Sequence, residues 1–188
     1  MKKGVVVVEN HFMFNKDESP FSVLGIHPAF SLDLEEVERA YFSCQLAMHP
    51  DRHTSKTPQE QALISERSAL INQSYQALKN PVIRAECLLR LEGIFIPGEN
   101  ASSVQDSDIL QESLSLREDL LEAQTLQEMK HLEVVLKDRF SNACVDFEKM
   151  FTEKKESDCQ RAFLRMTYLS KIQHDLTQRI RQLSSKEL

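Results

Sequence analysis

Two histidines, an aspartate and a proline fall within five residues, His49-Pro50-Asp51-Arg52-His53, and chemistry would be sought there first. A His/Asp pair can move protons, and a hydrolase built on one is the enzymatic alternative, but no nucleophile or cleft-forming motif accompanies it. His49 and His53 stand four apart, the helical spacing for a shared metal; Pro50 between them prevents that helix, and no third ligand is adjacent. The four cysteines (Cys44, Cys87, Cys144, Cys159) are scattered with no Cys-x-x-Cys pair, as expected of small apolar helix residues in a reducing compartment. We therefore expect no catalytic residue, no metal and no cofactor. What the tripeptide can do is present itself. Pro50 fixes its own φ and restricts His49, and Asp51 is a carboxylate able to accept a bidentate arginine from a partner. Arg52, His53 and Lys56 keep the loop locally basic. On the tripeptide alone, an ordinary turn between helices would serve as well.

The elements around it are legible. Ser19-Pro20-Phe21-Ser22-Val23-Leu24-Gly25 fits one or two helical turns closed by Gly25. Asp33 caps the next helix, with Glu36 three residues on. Leu34, Val37, Tyr41, Cys44 and Met48 follow as one apolar stripe, and Pro50 ends it. Thr57-Pro58-Gln59-Glu60 is a second start, with Thr57 as cap, Pro58 at the first helical position and Glu60 completing the box. Its stripe is expected through Ala62, Leu63, Ala69, Leu70, Ala77 and Leu78 to Asn80-Pro81. These helices are about 24 and 33 Å long at 1.5 Å per residue, and a nine-residue joint predicts an antiparallel hairpin with the tripeptide at its tip.

A further helix is predicted from Pro81 to about Leu91, stopped by Gly93. Residues 93–105 hold two of the four glycines and a proline and form the one convincing linker. Beyond it, helical patterns run over about 106–124, 126–153 and 158–184, an antiparallel three-helix bundle. The expected layout is an extension over 1–18, a hairpin domain with its following helix over 19–92, the linker, and the bundle over 106–188. With 4 glycines, 6 prolines and 41% hydrophobic residues, the composition suits long helices rather than a sheet or a disordered chain. A net charge of −6 and no Lys/Arg run longer than two speak against nucleic acid and for a protein partner. Val5 to Val8 after two lysines is too short for a signal peptide, and no stretch approaches the roughly 20 apolar residues that span a bilayer. A cytoplasmic location is expected.

The Phe-x-x-Leu-Gly helix, the helix ending in His49-Pro50-Asp51, the polar loop and the long helix with Ile71-Asn72-Gln73-Ser74-Tyr75-Gln76-Ala77-Leu78 together resemble a J domain. Asn80-Pro81-Val82-Ile83-Arg84-Ala85-Glu86-Cys87-Leu88-Leu89-Arg90-Leu91-Glu92-Gly93 is similar to the segment that follows the J domain in HscB-type co-chaperones of iron–sulfur cluster assembly. Leu114-Ser115-Leu116-Arg117-Glu118-Asp119-Leu120 is similar to that family's signature in the first bundle helix. The resemblance implies an all-α protein that docks on an ATP-bound chaperone of the DnaK/HscA type, speeds its ATP hydrolysis, and presents the iron–sulfur scaffold protein, IscU. Chaperone binding would fall to His49, Pro50, Asp51, Arg39 and Arg52, with Asp51 the acceptor for a chaperone arginine. J domains usually carry a basic face on the helix before the tripeptide, whereas this one has only Arg39 against Asp33, Glu35, Glu36 and Glu38. A general J-protein serving unfolded clients is the alternative, but its Gly/Phe-rich and Cys-x-x-Cys modules are missing from this sequence.

The first bundle helix carries two apolar faces. At 100° per residue, Ile109, Leu116, Leu120 and Ala123 lie within about 40° of one direction, while Leu110, Leu114 and Leu121 lie about 100–140° away beside Arg117. The second face either packs on another helix or is a partner surface. The resemblance implies the latter, with Leu110, Leu114, Arg117, Glu118 and Glu122 as scaffold-binding residues, joined by Tyr168. Tyr168 lies about 120° off the core stripe of Ala162, Met166, Leu169, Leu176 and Ile180. Where the family tends to have a larger apolar residue and an acid, this chain has Gln111 and Ser115.

Overall fold

The computed structural model describes residues 18–48, 56–96 and 106–184. These form seven helices with no strand among them: α1 (Pro20–Leu24), α2 (Leu34–Met48), α3 (Pro58–Lys79), α4 (Pro81–Leu91), α5 (Ser107–Glu122), α6 (Leu126–Thr152) and α7 (Glu156–Ser184). The all-α architecture, a J-type hairpin followed by a three-helix bundle, is as expected. None of the helices is long and apolar enough to cross a membrane.

The helix ends are set by local chemistry. Ser19 accepts from the Ser22 N–H, and Gly25 closes α1 at φ +69°, a conformation an L side chain resists. Asp33 Oδ1 accepts from the Glu35 N–H at 2.9 Å. Thr57 and Glu60 form the reciprocal capping box, with Pro58 opening α3. Asn80 Oδ1 accepts from Val82 and Ile83 as Pro81 starts α4. A second capping box, Thr125 with Glu128, opens α6.

The inner face of α3 departs from the expected stripe. Ala62, Leu63 and Ala69 are exposed, Leu63 by 65%, whereas Ser68, Ile71, Ser74, Ala77 and Leu78 are buried. The reason is a polar latch to α2. Tyr41 Oη donates to Asn72 Oδ1 at 2.8 Å, and Gln45 Nε2 donates to the same oxygen at 2.7 Å and to the Ser68 carbonyl at 3.3 Å. Ser68 Oγ donates back to Gln45 Oε1 at 3.2 Å, and the Tyr41 and Tyr75 rings stack with centroids 4.2 Å apart. Partner numbers fall along α3 as they rise along α2, so the pair is antiparallel and its open end is the joint carrying the tripeptide.

In the bundle, α6 and α7 share the longest packing contact and α5 rests mainly on α7. Met129, Leu136, Phe147, Met166, Leu169 and Ile172 are fully buried between them. The hairpin packs on this bundle within one continuous apolar cluster. Phe30, before α2, meets Phe147 of α6 with ring centroids 4.8 Å apart, and α4 contacts α7. Arg84 of α4, buried itself, donates to the Phe30 and Leu78 carbonyls, both at 2.7 Å, and lies over the Phe30 ring. Burial lowers its pKa below the usual guanidinium range.

Candidate functional site

At the hairpin, His49, Pro50, Asp51 and Arg52 lie outside the described residues. What is described is the frame that offers them, namely the last turns of α2, the start of α3 and the latch between the two. Arg39 is exposed, with Asp33 Oδ2 at 3.8 Å and Glu35 Oε2 at 3.7 Å. The one cation of α2 therefore leans on the acids of its own N-terminus. Phe42 and Leu46 are also exposed. Glu35, Arg39, Phe42 and Leu46 follow at steps of four, three and four, so the outward face of α2 leading to the tripeptide is partly apolar. The sequence reading passed over this face, although its helical spacing was visible beside the inner stripe.

On α5 the two faces separate. Ile109, Ser113, Leu116 and Leu120 are buried, with Leu116 only 1% exposed, and Ala123 is buried just after the helix. Leu110 is 44% exposed, Leu114 59% and Leu121 73%; Arg117, Glu118 and Glu122 are exposed beside them. Tyr168 is half-buried on α7, three residues from Arg165, which binds α5. The structure thus gathers Leu110, Leu114 and Arg117 on one side of α5, and sets Tyr168 on the α5-facing side of the neighbouring helix.

α5 is held on α7 by three arginines. Arg161 pairs with Asp106, the α5 cap, and with Asp108 at 3.4 Å. Arg165 grips Glu112 with both arms, Nε to Oε2 at 2.8 Å and Nη2 to Oε1 at 2.9 Å, while Arg139 of α6 adds a bond to Oε1 at 3.1 Å. Arg179 donates to the Leu120 and Leu121 carbonyls, which end α5 without an intrahelical partner. The pairings advance in step, so α5 and α7 run parallel. Glu112 lines a groove of about 800 Å³ between α5, α6 and α7, with Arg139, Arg165 and Asp146. The side-chain bonds from Arg165, more than its charge or that of Arg139, hold the Glu112 pKa below its usual value of 4.5 against the opposing effect of burial. The same bonds raise that of Arg165. The sequence reading missed this group, because an isolated glutamate and arginine 53 positions apart leave no local signal.

The four cysteines are free thiols. Burial pushes Cys87 up to about 12 and Cys144 to about 11, and raises Cys159, so all three stay protonated and poorly nucleophilic near neutral pH. Among the described residues no three His, Cys, Asp or Glu side chains gather where they could hold a metal ion.

Comparison with known proteins places these two parts in one family. The DnaJ domain profile matches residues 19–87, and the HSCB C-terminal oligomerisation domain profile matches residues 105–177. The co-chaperone protein HscB of Proteus mirabilis is 40% identical over 100 residues, 53% of this chain and 57% of that protein, so this match spans little more than half of the relative. An HscB homolog of a Shewanella species (strain MR-4) is 29% identical over 164 residues, 84% of this chain and 94% of the relative. The crystal structure of human co-chaperone protein HscB superposes with a TM-score of 0.80 at 25% identity, covering 86% of this chain and 81% of that one. A J-type hairpin, an HscB-type bundle and their joint arrangement in these relatives lead to one conclusion: the chain belongs to the HscB-type J-domain co-chaperones.

Proposed function

We propose that this protein is a two-site adaptor for iron–sulfur protein maturation. One site, His49, Pro50 and Asp51 with Arg39 and Arg52, docks on an ATP-bound chaperone of the DnaK/HscA type and accelerates its ATP hydrolysis. The other, Leu110, Leu114, Arg117, Glu118 and Glu122 of α5 with Tyr168 of α7, carries the IscU-type scaffold protein to that chaperone. Bond cleavage belongs to the chaperone, and this chain contributes binding energy and orientation. The reading places it in the cytoplasm, in keeping with four unpaired thiols.

The observation that carries the proposal is the division of α5. Two leucines one turn apart stay exposed although the bundle core lies beside them, and an apolar pair flanked by Arg117 and Glu118 has the make-up of an interface anchor with a polar rim. The test is steady-state ATP hydrolysis by an HscA-type chaperone, with this protein and the IscU-type scaffold added separately and together. Stimulation by each and synergy by both are expected. Stimulation that is indifferent to the scaffold, yet appears with unfolded clients, would replace the proposal with a general J-protein.

A further inference from the structure

We infer that Glu112, gripped by Arg165 and Arg139, is a positioning residue that sets how α5 presents its leucines to the scaffold. The inference rests on the scaffold-binding reading of α5 and adds a residue that itself touches no partner. Three observations carry it. First, Leu110 and Leu114 stand two residues to either side of Glu112, about 160–200° round the helix. The grip is therefore on the flank opposite the exposed leucines. Second, α5 packs lightly on α6, so apolar burial against α6 does little to fix its rotation. Its two ends are held by Arg161 at the Asp106 cap and by Arg179 at the last carbonyls. Between those ends Glu112 adds a charged hold from α7, beside the apolar packing of Leu116 and Leu120. Third, the grip is bidentate on a mostly buried carboxylate and is backed by Arg139, a geometry that specifies orientation as well as attraction.

The consequence is a fixed register between two parallel helices. Tyr168 follows Arg165 by three residues on α7, and Leu114 follows Glu112 by two on α5. Closing the Glu112–Arg165 pair thus sets Leu114 and Tyr168 at one level, as parts of one surface. Loss of the pair frees α5 to roll about its axis between its two anchored ends. It leaves the buried Leu116 and Leu120 in place to keep the helix attached.

The experiment uses the full chain and the IscU-type scaffold. Glu112→Gln keeps the shape of the side chain and removes its charge; Arg165→Met removes the grip and Arg165→Lys keeps the charge without the fork. Calorimetric titration is expected to show scaffold affinity falling about tenfold for Glu112→Gln and Arg165→Met, with Arg165→Lys between them and wild type. Circular dichroism at the titration temperature should remain that of wild type, as should chaperone stimulation without scaffold. A double-mutant cycle between Leu114→Ala and Tyr168→Ala should show coupling in wild type that disappears in the Glu112→Gln background, a change that a purely structural role would not produce. Wild-type affinity in Glu112→Gln, or a loss that merely follows a lost folded fraction, overturns the inference and leaves the scaffold surface standing. Unchanged affinity in Leu110→Ala, Leu114→Ala removes the surface itself and this inference with it.

Discussion

We propose that His49 and Asp51, which lie outside the described residues, serve the chaperone and not the latch between α2 and α3, which runs through Tyr41, Gln45, Ser68 and Asn72. Substitutions of either residue should cost little stability, within about 0.5 kcal/mol. His49→Gln or Asp51→Asn is therefore expected to abolish chaperone stimulation while the melting curve stays in place, and two variants that stimulate like wild type would reduce the tripeptide to a turn. Ser74 offers a test of the opposite kind. Its hydroxyl is fully buried in α3 with no hydrogen-bond partner among the described residues. Ser74→Ala removes that unmet group and improves helix propensity, so chemical denaturation should show a gain of about 1 kcal/mol. A loss of stability would mean that the hydroxyl has a partner after all.

At the scale of the helix, α5 separates anchors from core. Leu110→Ala with Leu114→Ala removes exposed side chains and should shift the melting midpoint by only a few degrees, while scaffold affinity falls by roughly thirtyfold, about 2 kcal/mol. Leu116→Ala with Leu120→Ala empties buried positions at about 2–5 kcal/mol each and should unfold the bundle. Denaturation and titration on both pairs decide the matter, and a reversed outcome would exchange the two faces. The same helix predicts a pH dependence. The folded Glu112 pKa lies below its usual 4.5, so the pair's contribution is fully present above that value and is lost as pH falls through the folded one. Wild type should therefore lose more stability than Glu112→Gln on acidification below 4.5, as measured by urea midpoints across that range. Parallel pH curves for the two proteins would contradict the assigned shift.

The hairpin meets the bundle where Phe30 packs on Phe147, with Arg84 holding Phe30 from the hairpin side. We expect a fragment beginning near Val104 to keep scaffold binding, because the whole α5 surface and its α7 arginines lie within it. A fragment ending near Leu91 should stimulate the chaperone weakly. Each fragment should melt below the full chain, since separation exposes apolar area at Phe147 and Phe30 that is buried in the intact protein. A C-terminal fragment that folds but does not bind the scaffold in calorimetry would show that the hairpin contributes to that surface.

Helix boundaries were legible in the sequence because capping is local. Thr57-Pro58-Gln59-Glu60, Asn80-Pro81 and Gly25 each settle a helix end within a few residues. That α5 carries two apolar faces was legible from 100° per residue, whereas the exposure of Leu110, Leu114 and Leu121, rather than their packing on another helix, was decided by the fold. The J-type and HscB-type motifs carried the family as short patterns read without knowing what packs on what. Tertiary structure decided the rest. The inner face of α3 is lined with Ser68 and Ser74, which a hydrophobic period cannot detect, and only the facing Gln45 explains why Ser68 is inside. The Phe30–Phe147 contact and the grip of Arg165 on Glu112 join residues far apart in the chain. A charged residue that turns inward to a partner looks in sequence like any solvent-facing one, because hydropathy records the cost of burial and not the arginine that offsets it.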